Sequence, residues 1–132
     1  LQCFLFDRHH VIVQFSAGMT PRKNGVLLMS GKITPDRPLE DYREAVIQAA
    51  SNALTAARNT LKEGERIVQI LSLTVYLNAS PDYTTHAKVG DIASNWLYEQ
   101  LGEAGVGPRA AIGVATLPGN APVEIQLVAA AG

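Results

Sequence analysis

The chain has 132 residues, 47% hydrophobic and 17% charged, with a formal net charge of −1 and a single cysteine, Cys3. That length suits one domain with a real core, the charge provides no basic stripe for nucleic acid, and no apolar run reaches the roughly 18 residues of a membrane span. One cysteine cannot form an internal disulfide and fits a reducing, cytoplasmic setting.

The opening run Cys3-Phe4-Leu5-Phe6 stops at Asp7-Arg8-His9-His10, too short for a signal-peptide core. Residues 1–18 read as a divergent N-terminal segment, either a first strand or an extension foreign to the domain, and residues 19–132 as a single domain. Within the first part, Val11 to Phe15 has strand character; Ser16 to Lys23, with Gly18 and Pro21, is a loop. Asn24-Gly25 is a turn that launches Val26 to Met29, an apolar run expected to be a strand covered on both faces. Pro35 and Pro38 keep the next segment out of helix.

From Leu39 the period changes. Leu39, Tyr42, Val46, Ala49, Ala53, Ala57 and Leu61 recur at steps of three and four, a helix whose alanine stripe can lie close to a sheet. Glu40 and Asp41 in its first turn and Gly64 beyond its end are start and stop signals. Ile67 to Asn78 alternates as a strand, with Leu71, Leu73, Val75 and Leu77 on one side and Ser72, Thr74 and Tyr76 on the other. After a turn over Asn78 to Tyr83, Val89, Ile92, Ala93, Trp96, Leu97 and Leu101 trace a second amphipathic helix that ends near Gly102 or Gly105.

Two strands close the chain. In the first, Arg109, Ala111 and Gly113 share one face and Ala110, Ile112 and Val114 the other; in the second, Val123, Ile125 and Leu127 oppose Glu124 and Gln126. The order strand, strand, helix, strand, helix, strand, strand argues an α+β fold, two helices on one face of a mixed sheet. The other face is expected to carry Ser72, Thr74, Tyr76, Arg109, Ala111, Gly113 and Glu124, too mixed for a core and too poor in charge for open solvent. An oligomer that packs these faces together resolves the conflict.

The same residues suggest chemistry. Arg109 offers a planar fork for a carboxylate, and Glu124 a group that can position water and move protons; the alternative is a salt bridge between them. Other constellations fail. His9-His10 with Asp7 lacks a third metal ligand at suitable spacing, Ser30, His86 and Asp91 lack a nucleophile elbow, and Gly102, Gly105 and Gly107 do not open a helix after a strand. Trp96 reads as core.

Four blocks, in this order and spacing, resemble the Rid (YjgF-like) family. They are Gly25-Val26-Leu27-Leu28-Met29-Ser30-Gly31, Asn78-Ala79-Ser80-Pro81-Asp82-Tyr83, Arg109 through Leu117-Pro118, and Asn120-Ala121-Pro122-Val123-Glu124. The resemblance implies a chorismate-mutase-like fold and a homotrimer with clefts at its subunit boundaries. It implies hydrolysis of small 2-imino or enamine acids to 2-keto acids and ammonia, without metal or organic cofactor. Arg109 would hold the substrate carboxylate and Glu124 the water, with Ala111, Ser30, Gly31, Tyr83 and Asn120 as further substrate contacts. A trimer that binds a small carboxylate metabolite without turnover, as sensor or partner protein, is the other reading. Two departures mark a less characterised branch: Lys32 stands where the family commonly has glutamine, and Ala111 where many deaminases have cysteine.

Overall fold

The computed structural model describes residues 12–132, so Cys3, His9 and His10 lie outside the described residues. Strand β1 is Ile12–Phe15, and β2 (Arg22–Lys23) and β3 (Val26–Leu27) form a hairpin of their own. Helix α1 (Arg43–Arg58) follows a 3-10 turn at Leu39–Tyr42. Then come β4 (Ile67–Asn78), α2 (His86–Leu101), β5 (Arg109–Val114) and β6 (Val123–Ala131). Among the described residues no helix is long and apolar enough to cross a membrane.

The main sheet has the order β1-β6-β4-β5. Strand β6 runs antiparallel to β1 and β4, while β5 runs parallel to β4. A parallel pair needs a crossover, and α2 supplies it. Both helices pack on one face, so the fold is α+β with a mixed sheet, as the periodicity predicts. Leu73, Val75 and Leu77 of β4 and Val123, Ile125 and Leu127 of β6 are buried there against Val46, Ala49, Ala53, Val89 and Leu97. Each large apolar side chain contributes about 1.5–3 kcal/mol by leaving water.

Three expectations change. The run from Val26 to Met29 is not a covered strand: β3 pairs only with β2 across Asn24-Gly25, and Val26 remains 64% exposed. Both turn residues have positive φ, +53° and +79°, the conformation that a two-residue hairpin of this chemistry requires. Secondly, Leu71 does not continue the series of Leu73. An irregularity between Ile70 and Ser72 shifts the register, and Ile70 takes the buried position.

The third change concerns β5. Leu73 pairs with Arg109, Val75 with Ala111 and Leu77 with Gly113, so these β5 residues share the helix side, whereas Ala110, Ile112 and Val114 face away. Alternation separates the two sets correctly but does not say which one meets the helices. The small set does, because α2 passes close: a methyl group at Gly90 would stand 3.1 Å from the Ala111 β-carbon, and one at Gly113 would stand 2.9 Å from His86 Nε2. Small residues mark close packing here, not open room.

Candidate functional site

At the C-terminal end of β4 a polar frame joins three segments distant in sequence. Asn78 is 1% exposed, and its amide donates to Asn120 Oδ1 at 3.0 Å and the Ala121 carbonyl at 3.1 Å. Its own Oδ1 accepts a hydrogen bond from Lys32 Nζ at 2.8 Å, and Nζ also donates to the Ala115 carbonyl at 2.8 Å. The Gly31 amide donates to the Asn120 carbonyl at 2.8 Å. Gly31 has φ +105°, where a side chain would be strained, and Asn120 sits at φ +57° in the turn Pro118–Asn120. A buried amide with all its polar atoms paired holds such a frame rigid.

Thus Ser30, Gly31 and Asn120, all expected at the site, come together at this end, with Ser30 exposed beside Gly31. Glu124 stands close by on the sheet face opposite the helices, paired across β4 with Tyr76. Its carboxylate lies against Gly18, where a methyl group would collide with it. It is half-buried, and among the described residues no hydrogen bond or ion pair engages it.

Arg109 is elsewhere. It stands on the helix side, where Nη1 donates to Asp91 Oδ1 at 2.9 Å and to Ser94 Oγ at 3.1 Å, and Nη2 to the Ala87 carbonyl at 3.4 Å. The expectation that Arg109 and Glu124 share a face is therefore corrected: within one chain the sheet separates them, and Arg109 pairs with Asp91 instead of Glu124. Ala111 follows Arg109 to the helix side, in an edge strand. Tyr83 is 8% exposed; its hydroxyl donates to the Thr85 carbonyl at 3.4 Å and its ring meets His86 edge-on at 5.4 Å. It belongs to the packing around α2 and does not join Asn120.

Sequence reasoning missed Asn78, Gly18 and Asp91 as functional neighbours. A lone asparagine closing an apolar strand was the available signal for the first, because a buried amide there needs partners. A cavity of about 690 Å³ lies at the opposite end of β4 between Arg58, Leu61, Arg66 and Leu101, and holds none of the expected site residues. Among the described residues no group of three His, Cys, Asp or Glu side chains could hold a metal ion.

Comparison with known proteins bears on the fold and the family. Protein TCP17 of Trypanosoma cruzi is 27% identical over 111 residues, covering 83% of this chain and 69% of that protein. The crystal structure of Atu1372 from Agrobacterium tumefaciens, a protein of unknown function, superposes with a TM-score of 0.79 at 29% identity, over 89% of this chain and 74% of that one. E. coli TdcF, solved with bound serine, shares the fold at a TM-score of 0.61 and 19% identity, over 89% and 79%. The family profile described as Endoribonuclease L-PSP matches residues 7–131, and the chain therefore belongs to that family, which includes the YjgF-like Rid proteins its sequence blocks resemble.

Proposed function

We propose that the protein hydrolyses small 2-imino acids, and the enamines in equilibrium with them, to 2-keto acids and ammonia. The observation that carries this reading is Glu124: the one charged side chain on the open face of the described strands, half-buried, and unengaged by any described partner. A carboxylate in that setting holds a water against the trigonal carbon of a bound imine. It takes a proton as the C–O bond forms, then returns one to nitrogen so that the C–N bond breaks and ammonia leaves. One water is consumed for each ammonia released. The imine carbon is electrophilic unaided, so the proposal needs no metal or organic cofactor.

A polynucleotide substrate fits less well, despite the family's description. The net charge is −1 and the open face carries an acid, whereas phosphate binding draws on clustered lysine and arginine.

The proposal includes a homotrimer with its clefts between subunits. Moving Arg109 to the helix side leaves the open face more apolar than the sequence suggested: Phe15 is 73% exposed and Ile112 45%, with Val128, Val114 and Ala110 on the same side. A protein surface of this kind is ordinarily covered by a partner. A cytoplasmic site of action completes the proposal.

The test is competition with semicarbazide for 2-iminopropanoate and 2-iminobutanoate generated in place by an amino-acid oxidase or a dehydratase. A hydrolase diverts imine to keto acid and slows its capture. Binding of a small carboxylate without such diversion would favour the sensor reading.

A further inference from the structure

We infer that Gly18 positions the Glu124 carboxylate; this rests on the hydrolysis reading and adds to it a residue that acts through the water-holding group without touching substrate.

A glycine serves a fold either through its backbone freedom or through the space its missing side chain leaves. The first does not apply here. Gly25 and Gly31 have positive φ, but Gly18 does not, so its backbone accepts an L side chain. The second applies to one neighbour. Outside the chain neighbours of Gly18, the three atoms nearest to a methyl group placed on it all belong to Glu124: Cγ at 3.2 Å, Cδ at 2.8 Å, and Oε2 in outright collision. The approach tightens toward the tip, so the carboxylate, more than its stem, occupies the space that Gly18 leaves.

The chain is bent to bring Gly18 there. Phe15 pairs with Val128, yet Ile125, three residues back along β6, pairs with Met19, four residues on from Phe15. The extra residue makes a bulge, a device that raises local twist and re-aims side chains beside a site. Both of its ends are fixed. Met19 and Ile125 exchange two backbone hydrogen bonds, at 2.8 and 2.9 Å. At the other end the Ser16 amide donates to the Leu127 carbonyl at 2.8 Å, but the Leu127 amide donates to Ser16 Oγ at 2.9 Å, and the Ser16 carbonyl accepts from Gln126 Nε2 at 3.2 Å. Ser16 is 3% exposed, so these bonds are shielded from water. Gly18 is thereby held against Glu124 from two anchored points.

A glutamate has three side-chain torsions, and each adds orientations in which its carboxylate is misplaced. The backbone at Gly18 closes one side of that range, so a group that must hold a water has less ordering to do when substrate arrives. An alanine at this position would meet only the flexible tip of Glu124, which can swing aside while the bulge stays where it is. The fold survives the change and the placement of the carboxylate does not.

The experiment compares wild type, Gly18→Ala, Glu124→Asp and the double variant in 2-iminopropanoate turnover against semicarbazide, in thermal melts, and through the carboxyl carbon-13 resonance of Glu124, assigned by its absence from Glu124→Gln. Gly18→Ala should melt at or above the wild-type temperature, because alanine restricts the unfolded chain. Its kcat should fall about 10- to 100-fold, with KM changed by less than about threefold, and the Glu124 resonance should shift. Aspartate is shorter and withdraws from residue 18, so in its background the alanine should lower kcat by no more than about threefold further. An undiminished kcat in Gly18→Ala, equal losses in the two backgrounds, or a Gly18→Ala chain that no longer folds would each overturn the role of Gly18. A wild type without imine turnover would defeat the hydrolysis reading, and the resonance alone would then decide: a shift in Gly18→Ala upholds the positioning, and an unmoved resonance overturns it.

Discussion

Arg109 lies against Gly90: a methyl group added to that glycine would stand 2.9 Å from both Nε and Cζ of the guanidinium. A glycine inside a helix costs about 1 kcal/mol relative to alanine, and here it admits the only side chain long enough to tie the edge strand β5 to Asp91 and Ser94 of α2. Gly90→Ala should therefore destabilise by about 1–2 kcal/mol despite the gain in helix propensity. In an Arg109→Ala background the same change should cost less, with a coupling of at least about 0.5 kcal/mol in urea unfolding. Additive effects would mean that the two residues do not share this contact.

Gly107 presents the same problem against backbone. A methyl group there would collide with the Ile70 carbonyl, at the point where β4 is already irregular. A carbonyl in a sheet cannot retreat as a side chain can, so Gly107→Ala should cost about 3 kcal/mol, read as a lower urea midpoint with unchanged slope.

Asn78 is expected to act on stability before function. Asn78→Ala leaves Asn120 Oδ1, the Ala121 carbonyl and Lys32 without their partner. Loss of these bonds at a nearly inaccessible residue should cost about 1–3 kcal/mol and loosen residues 30–32 and 118–121, visible as faster amide exchange at Gly31.

The homotrimer predicts a mass. Sedimentation of the wild type should give three times the chain mass of 14.1 kDa. Ile112→Glu, which would bury a charge between sheets, should give a folded monomer. A wild-type monomer would refute the assembly.

Much of the fold was legible because it depends on local period. The stripes of Val46, Ala49 and Ala53 and of Val89, Ile92 and Ala93 define both helices, and alternation defines β4 to β6. What alternation omits is which face turns inward: at β5 it is the face of Gly113 and Ala111, whose small size lets α2 pass close. The Asn24-Gly25 turn was readable from residue chemistry, but the exposure of Val26 depends on what does not pack on it. Of the site, Gly31, Asn120 and Glu124 stood in recognisable blocks. The Lys32–Asn78 contact spans 46 residues and follows only from Ile33 docking beside Ala79, a tertiary event that no short window contains.

The most direct measurement is the rate at which the protein draws 2-iminopropanoate away from semicarbazide, for wild type and Glu124→Gln at equal concentration with folding verified. Clear acceleration of keto-acid formation is expected from the wild type, with a loss of roughly 10²–10⁴-fold in the variant, the range expected when a proton-transfer group is removed. A wild-type rate equal to that of buffer, or a variant as fast as wild type, would contradict it.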